Sequence, residues 1–142
     1  MKQFVLLLTL ILGSPVATGA GAFYDLDAEL GNAKRLIYIG EIKQAIEILK
    51  DAVASEPQNA DAWNLLGYAS RKMGDMEQSA EAYNKALGID PNHKDALEYQ
   101  GELFLMLGDK TSAEGNLAKL KLLCPGGCEQ VDSLTGAIAA TD

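Results

Sequence analysis

Cysteine, histidine and basic side chains are all scarce in this chain of 142 residues: two cysteines, one histidine, and 12 lysines and arginines against 20 acidic residues. A single histidine, His93, leaves the usual nucleophilic and metal-assisted mechanisms short of parts, since these draw on imidazole as base or ligand. There is also no Gly-rich phosphate loop, no G-x-S-x-G and no cysteine beside a histidine. No catalytic residue, metal ligand or cofactor is therefore expected, and an enzyme is disfavoured. The formal charge of −8 repels phosphate backbones and anionic headgroups, which argues against nucleic acid or membrane surfaces as partners.

Long apolar runs are missing too. The one such run, Phe4 to Leu12, is shorter than the roughly 20 residues that a spanning helix needs. It follows Lys2 and precedes Pro15 and the small residues Ala20-Gly21-Ala22, the three-part pattern of a secretory leader. Residues 1–22 are expected to be a signal peptide, with the mature chain starting at Phe23, or at Gly21 if the cut follows Ala20. No cysteine lies near the cut, so a lipid anchor is not expected. The predicted location is the periplasm or the exterior, without membrane insertion, and about 120 residues remain for one domain.

A regular spacing fills that remainder. Gly40, Gly74 and Gly108 are each followed by an acidic residue (Glu41, Asp75, Asp109), and Pro57, Pro91 and Pro125 recur in the same rhythm; both series step by 34. Between them lie apolar residues at helical spacing, such as Ile42, Ala45, Ile46, Leu49 and Val53, so each unit reads as two helices. Glycine tolerates the left-handed backbone that ends the first helix, and the acidic residue opens the second, where aspartate accepts hydrogen bonds from the free N–H groups. Asp75-Met76-Glu77-Gln78 reads as a capping box. The prolines stop each pair. Small residues form columns, Ala33, Gly67, Gly101 and Ala45, Ser79, Ala113, where helices approach closely and Tyr83 or Leu49 can pack.

These features resemble the tetratricopeptide repeat (TPR) family. The middle unit carries Trp63, Leu66, Gly67, Gly74, Tyr83, Ala86 and Pro91 at the family's signature positions. The flanking units are weaker, with Glu29 and Leu97 in place of the tryptophan, and Asn32 and Gln100 where leucine is usual. Leu120 stands for a small residue in the third unit and implies altered packing there. The resemblance implies an all-α, right-handed solenoid of three helix pairs, residues 26–59, 60–93 and 94–127, followed by a capping helix and tail over 128–142. That cap, with Val131, Leu134, Ile138 and Ala139 at helical spacing, is short and marginal by itself.

Both cysteines lie in Leu123-Cys124-Pro125-Gly126-Gly127-Cys128, where the last repeat hands over to the cap. In an oxidising compartment a Cys124–Cys128 bridge would fasten the cap, although so small a loop is worth only about 2 kcal/mol by chain entropy. The spacing is not C-x-x-C, and His93 lies in a different turn, which disfavours a redox couple and a metal site. A thiol-disulfide protein is kept as the alternative function, and self-association through exposed repeat ends, as a weak homo-oligomer, as another. The Cys-x-x-Gly-Cys-Glu ending also resembles that of small exported TPR proteins of Gram-negative bacteria.

For the site, the resemblance implies that the first helix of each pair lines a groove for a peptide or protein partner. The positions carried over are Leu30, Lys34, Ile37 and Tyr38, then Asn64, Tyr68, Arg71 and Lys72, then Glu98, Glu102, Leu105 and Met106. Asn64 is expected to hydrogen-bond an extended backbone, and Arg71 to pair with a ligand carboxylate. Lys34 and Lys72 would favour acid, and Glu98 and Glu102 base, so the ligand should be charge-asymmetric. Leu30, Leu65, Asp95 and Tyr99 replace residues that family members use to hold a C-terminal carboxylate, so that specific activity is not expected. His93, in Pro91-Asn92-His93-Lys94, reads as an ordinary polar turn residue.

Overall fold

A computed structural model describes residues 25–141; the leader expected over residues 1–22 lies outside them. The described residues form seven helices: α1 (Leu26–Tyr38), α2 (Ile42–Ser55), α3 (Ala60–Met73), α4 (Met76–Ile89), α5 (Lys94–Met106), α6 (Lys110–Leu123) and α7 (Glu129–Ala139). None is long and apolar enough to cross a membrane.

The punctuation acts largely as its chemistry demands. Gly40, Gly74 and Gly108 hold φ of 87°, 85° and 78°, the left-handed region that a Cβ disfavours. Asp75 and Asp109 each accept a hydrogen bond from the backbone three residues on, from Gln78 N at 3.0 Å and Ser112 N at 3.0 Å. Two helix starts depart from the simplest pattern. Glu41 makes no backbone cap; its longer side chain instead accepts from Gln44 Nε2. The capping box at Asp75 is half made, because the Gln78 side chain is engaged by Ser70 Oγ at 2.8 Å rather than returning to the helix start.

Successive helices pack in order, and α1 touches α3, α3 touches α5, and α5 touches α7, whereas α2, α4 and α6 do not touch one another. Inner helices in contact and outer helices splayed make the array curve, with α1, α3 and α5 on the concave side. The close approach within the middle pair depends on Gly67, where a Cβ would come within 2.7 Å of the Tyr83 ring. Gly101, in the same column, is covered by Leu134 of α7. The cap thus takes the place that the tyrosine of the repeat fills one unit earlier.

Buried side chains fall into two clusters. One joins α1 to α4 through Leu30, Ile46, Leu49, Val53, Leu66 and Ala82. The other joins α5 to α7 through Leu97, Leu117, Leu120, Leu134 and Ile138, so Leu120 meets the cap. Gln100, where leucine is usual, is buried but satisfied: it donates to Asn84 Oδ1 at 2.9 Å and accepts from Asn116 Nδ2 at 3.0 Å. Cys124 closes α6 and Cys128 precedes α7, with their Cα atoms 5.9 Å apart and their Sγ atoms at bonding distance. Cys128 provides no side-chain cap to α7.

Candidate functional site

Spacings of four and three along α3 put Asn64, Tyr68 and Arg71 on one helical face. With neighbours from α1 and α5 they border two hollows. The first, of about 380 Å³, takes Lys34 and Tyr38 from α1, Asp61, Asn64 and Tyr68 from α3, and Asp95 and Tyr99 from α5. The second, of about 460 Å³, is lined by Tyr68, Arg71, Lys72, Tyr99 and Glu102, with Met106 at its edge. Because Tyr68 and Tyr99 border both, the hollows form one trough.

The two tyrosine rings lie 4.9 Å apart at 44°. The Arg71 guanidinium carbon is 5.5 Å from the Tyr68 centroid and 5.9 Å from that of Tyr99, and Lys72 Nζ is 5.6 Å from Tyr68, all within cation–π range. Arg71 also forms an ion pair with Glu102. Burial, with Glu98, Asp95, Tyr68 and Glu102 adding to it, pushes the Tyr99 hydroxyl up to about 12. Asn64 is 4% exposed, and its Oδ1 has no hydrogen-bond partner.

Several expected groove residues sit elsewhere or are otherwise engaged. Leu30 belongs to the first apolar cluster and Leu105 packs on the second. Glu98, expected as an acidic rim, is 7% exposed and borders neither hollow. Burial raises its carboxyl above the ordinary range, opposed by a hydrogen bond with Ser133 of α7, while Glu102, Asp95 and Glu129 push it further up. Arg71, expected to await a ligand carboxylate, already faces Glu102, so its charge is matched within the trough.

Four residues that line the first hollow are not among the expected groove positions: Asp61, Leu65, Asp95 and Tyr99. The 34-residue step contains the signal, since it aligns Asp61 with Asp95 and Leu65 with Tyr99; in the sequence, Leu65, Asp95 and Tyr99 stand out only as departures from a carboxylate-binding set. His93 is also more than a turn residue. Its Nδ1 accepts from Ala96 N at 3.2 Å, capping α5, and its Nε2 meets Asp61 Oδ1 at 2.9 Å. It therefore ties the start of α5 to the start of α3.

A tetratricopeptide repeat model matches residues 30–94 and 72–121, which together span more than half of the chain. The chain belongs to the tetratricopeptide repeat family. Among solved structures, the second TPR domain of human RPAP3 in complex with the HSP70 peptide SGPTIEEVD is similar at 21% identity and a TM-score of 0.69, over 79% of this chain and 93% of that one. PcrH in complex with the chaperone binding region of PopD is 18% identical, with a TM-score of 0.72 over 82% of this chain and 90% of that one. The Yersinia enterocolitica type III secretion translocator chaperone SycD is 16% identical, with a TM-score of 0.73 over 82% of both chains. At these identities the likeness is one of TPR fold. No curated protein matches the chain in sequence.

Proposed function

We propose that this TPR protein is an exported interaction adaptor, which holds a peptide segment of a partner protein in the trough of α1, α3 and α5. The observation that carries this reading is the continuity of the two hollows through the Tyr68–Tyr99 pair. A trough walled by aromatic faces gives apolar contact without demanding one side chain, and the polar groups around it set orientation. Similar folds bound to an HSP70 peptide and to a chaperone binding region of PopD support the same class of role. The HSP70 peptide held by RPAP3 ends in the acidic sequence EEVD; with Asp61 and Asp95 in the trough here, that ligand chemistry is not carried over.

The test uses Tyr68→Ala with Lys72→Ala, because both side chains line the trough and Lys72 is exposed, whereas Arg71 is held by its ion pair. A partner captured by crosslinking from an envelope extract should bind this double variant about 2 kcal/mol more weakly, with helix content by circular dichroism unchanged. Equal binding of parent and variant would move the site off the concave face.

A further inference from the structure

The first hollow is rich in acceptors, and Asn64, one of the residues that line it, carries an acceptor that is left unpaired. Asn64 Oδ1 is buried without a partner, and a buried acceptor of this kind costs about 1–3 kcal/mol unless something donates to it. The Asp61 and Asp95 carboxylates border the same hollow, with the Tyr68 and Tyr99 rings as walls and Leu65 also lining it. Asp61 is held by His93, and Asp95 accepts from Gln130 Nε2 at 2.7 Å. Each carboxylate is thus fixed by one neighbour and keeps further lone pairs to offer.

We infer that this hollow is a cation subsite, which takes the side chain of a lysine or arginine from the bound peptide. A guanidinium or ammonium group supplies only donors, matching Asn64 Oδ1 and the two carboxylates, while the alkyl stem lies against Leu65 and the charge meets tyrosine faces. Burial is the main cause of the upward shift of the Tyr99 hydroxyl, and Glu98 and Asp95 add to it from the same side. Lys34, exposed on the α1 wall, opposes an incoming cation, but a flexible stem lets its charge swing outward. The inference rests on the groove reading above and gives its ligand a sign.

The test is a titration of the isotope-labelled protein with blocked pentapeptides Ac-Ala-Ala-X-Ala-Ala-NH2, where X is arginine, norleucine or glutamate, followed by amide chemical shifts. The arginine peptide should shift amides of α3 and α5 around Asn64 and Tyr99, and bind about ten times more tightly than the norleucine peptide. Asn64→Leu should abolish that preference; leucine already occupies the equivalent place at Leu30, so the fold accommodates it. Asp95→Asn keeps the acceptor for Gln130 and should reduce the preference several-fold. Lys34→Met, at an exposed position, should tighten the arginine peptide. Tighter binding of the glutamate peptide, or weaker arginine binding in Lys34→Met, would overturn the cation subsite. Equal groove shifts by all three peptides would overturn it as well and leave the groove reading intact, whereas shifts by none would count against both.

Discussion

At Gly67 the absence of a side chain is structural, because Tyr83, fully buried on α4, fills the space that one would occupy. Its ring is enclosed and cannot give way. Gly67→Ala should therefore destabilise by about 1–3 kcal/mol, as overpacking does, seen as a lower urea midpoint at unchanged m-value, and Gly67→Ala with Tyr83→Leu should recover part of the loss. Glu98 is the opposite case, a group present where burial disfavours its charge. Its folded-state pKa lies above the ordinary carboxylate value, so the native state holds this proton more tightly than the unfolded chain. Stability from this residue is thus gained as pH falls through the raised pKa and lost as pH rises through that window. Glu98→Gln should be more stable than the parent at pH 7, and the advantage should shrink on acidification toward pH 4, followed by thermal unfolding of both proteins.

Among the helices, α7 depends most on its neighbours. It has 11 residues, is interrupted by Gly136 and lacks a side-chain cap, so by itself it is too short to persist in water. Leu134 and Ile138 dock it on α5 and α6, Gln130 fastens it to Asp95, and Cys124–Cys128 anchors its start. Among the described residues the bridge is the covalent link that this attachment has besides the backbone itself. Replacing both cysteines with serine should lower the melting temperature modestly and raise hydrogen exchange first in residues 129–141, before α1 to α4 change. Exchange that rises uniformly along the chain, or not at all, would contradict the role of the bridge as a local tether. Cap and groove are also neighbours, since Glu98 under Ser133 and Asp95 under Gln130 both belong to α5.

Over the whole molecule, the same 34-residue step sets the curve and the character of its two edges. Asp61 and Asp95 lie near the start of their helices, while the exposed apolar residues Tyr38, Ile39, Met73, Met106 and Leu107 lie at the other end of α1, α3 and α5. The two ends of these helices therefore differ in character, one acidic and the other apolar. Export would place the protein in an oxidising space, the setting in which Cys124–Cys128 persists. Intact-mass analysis of the protein recovered from the envelope fraction should find an N-terminus at Phe23 or Gly21; retention of residues 1–22 would rule out a cleaved leader.

What the sequence determined by itself was everything that repeats or acts locally. The 34-residue step, the glycines with left-handed backbone, the aspartate caps and the apolar faces gave the helix pairs and the family, because each depends on neighbours within a turn or two. Lys34, Tyr38, Asn64, Tyr68, Arg71, Lys72 and Glu102 also reach the trough as helical phase requires. Tertiary structure decided the rest, through contacts between residues far apart in the chain. Glu98 shares a column with Asn64, yet α7 covers it; Arg71 has the right phase, yet Glu102 of the next repeat takes up its charge. His93 became a strut only when α3 brought Asp61 within reach. The sign of the groove was likewise not legible position by position, since it depends on which carboxylates and which unpaired acceptor the curvature gathers into one hollow.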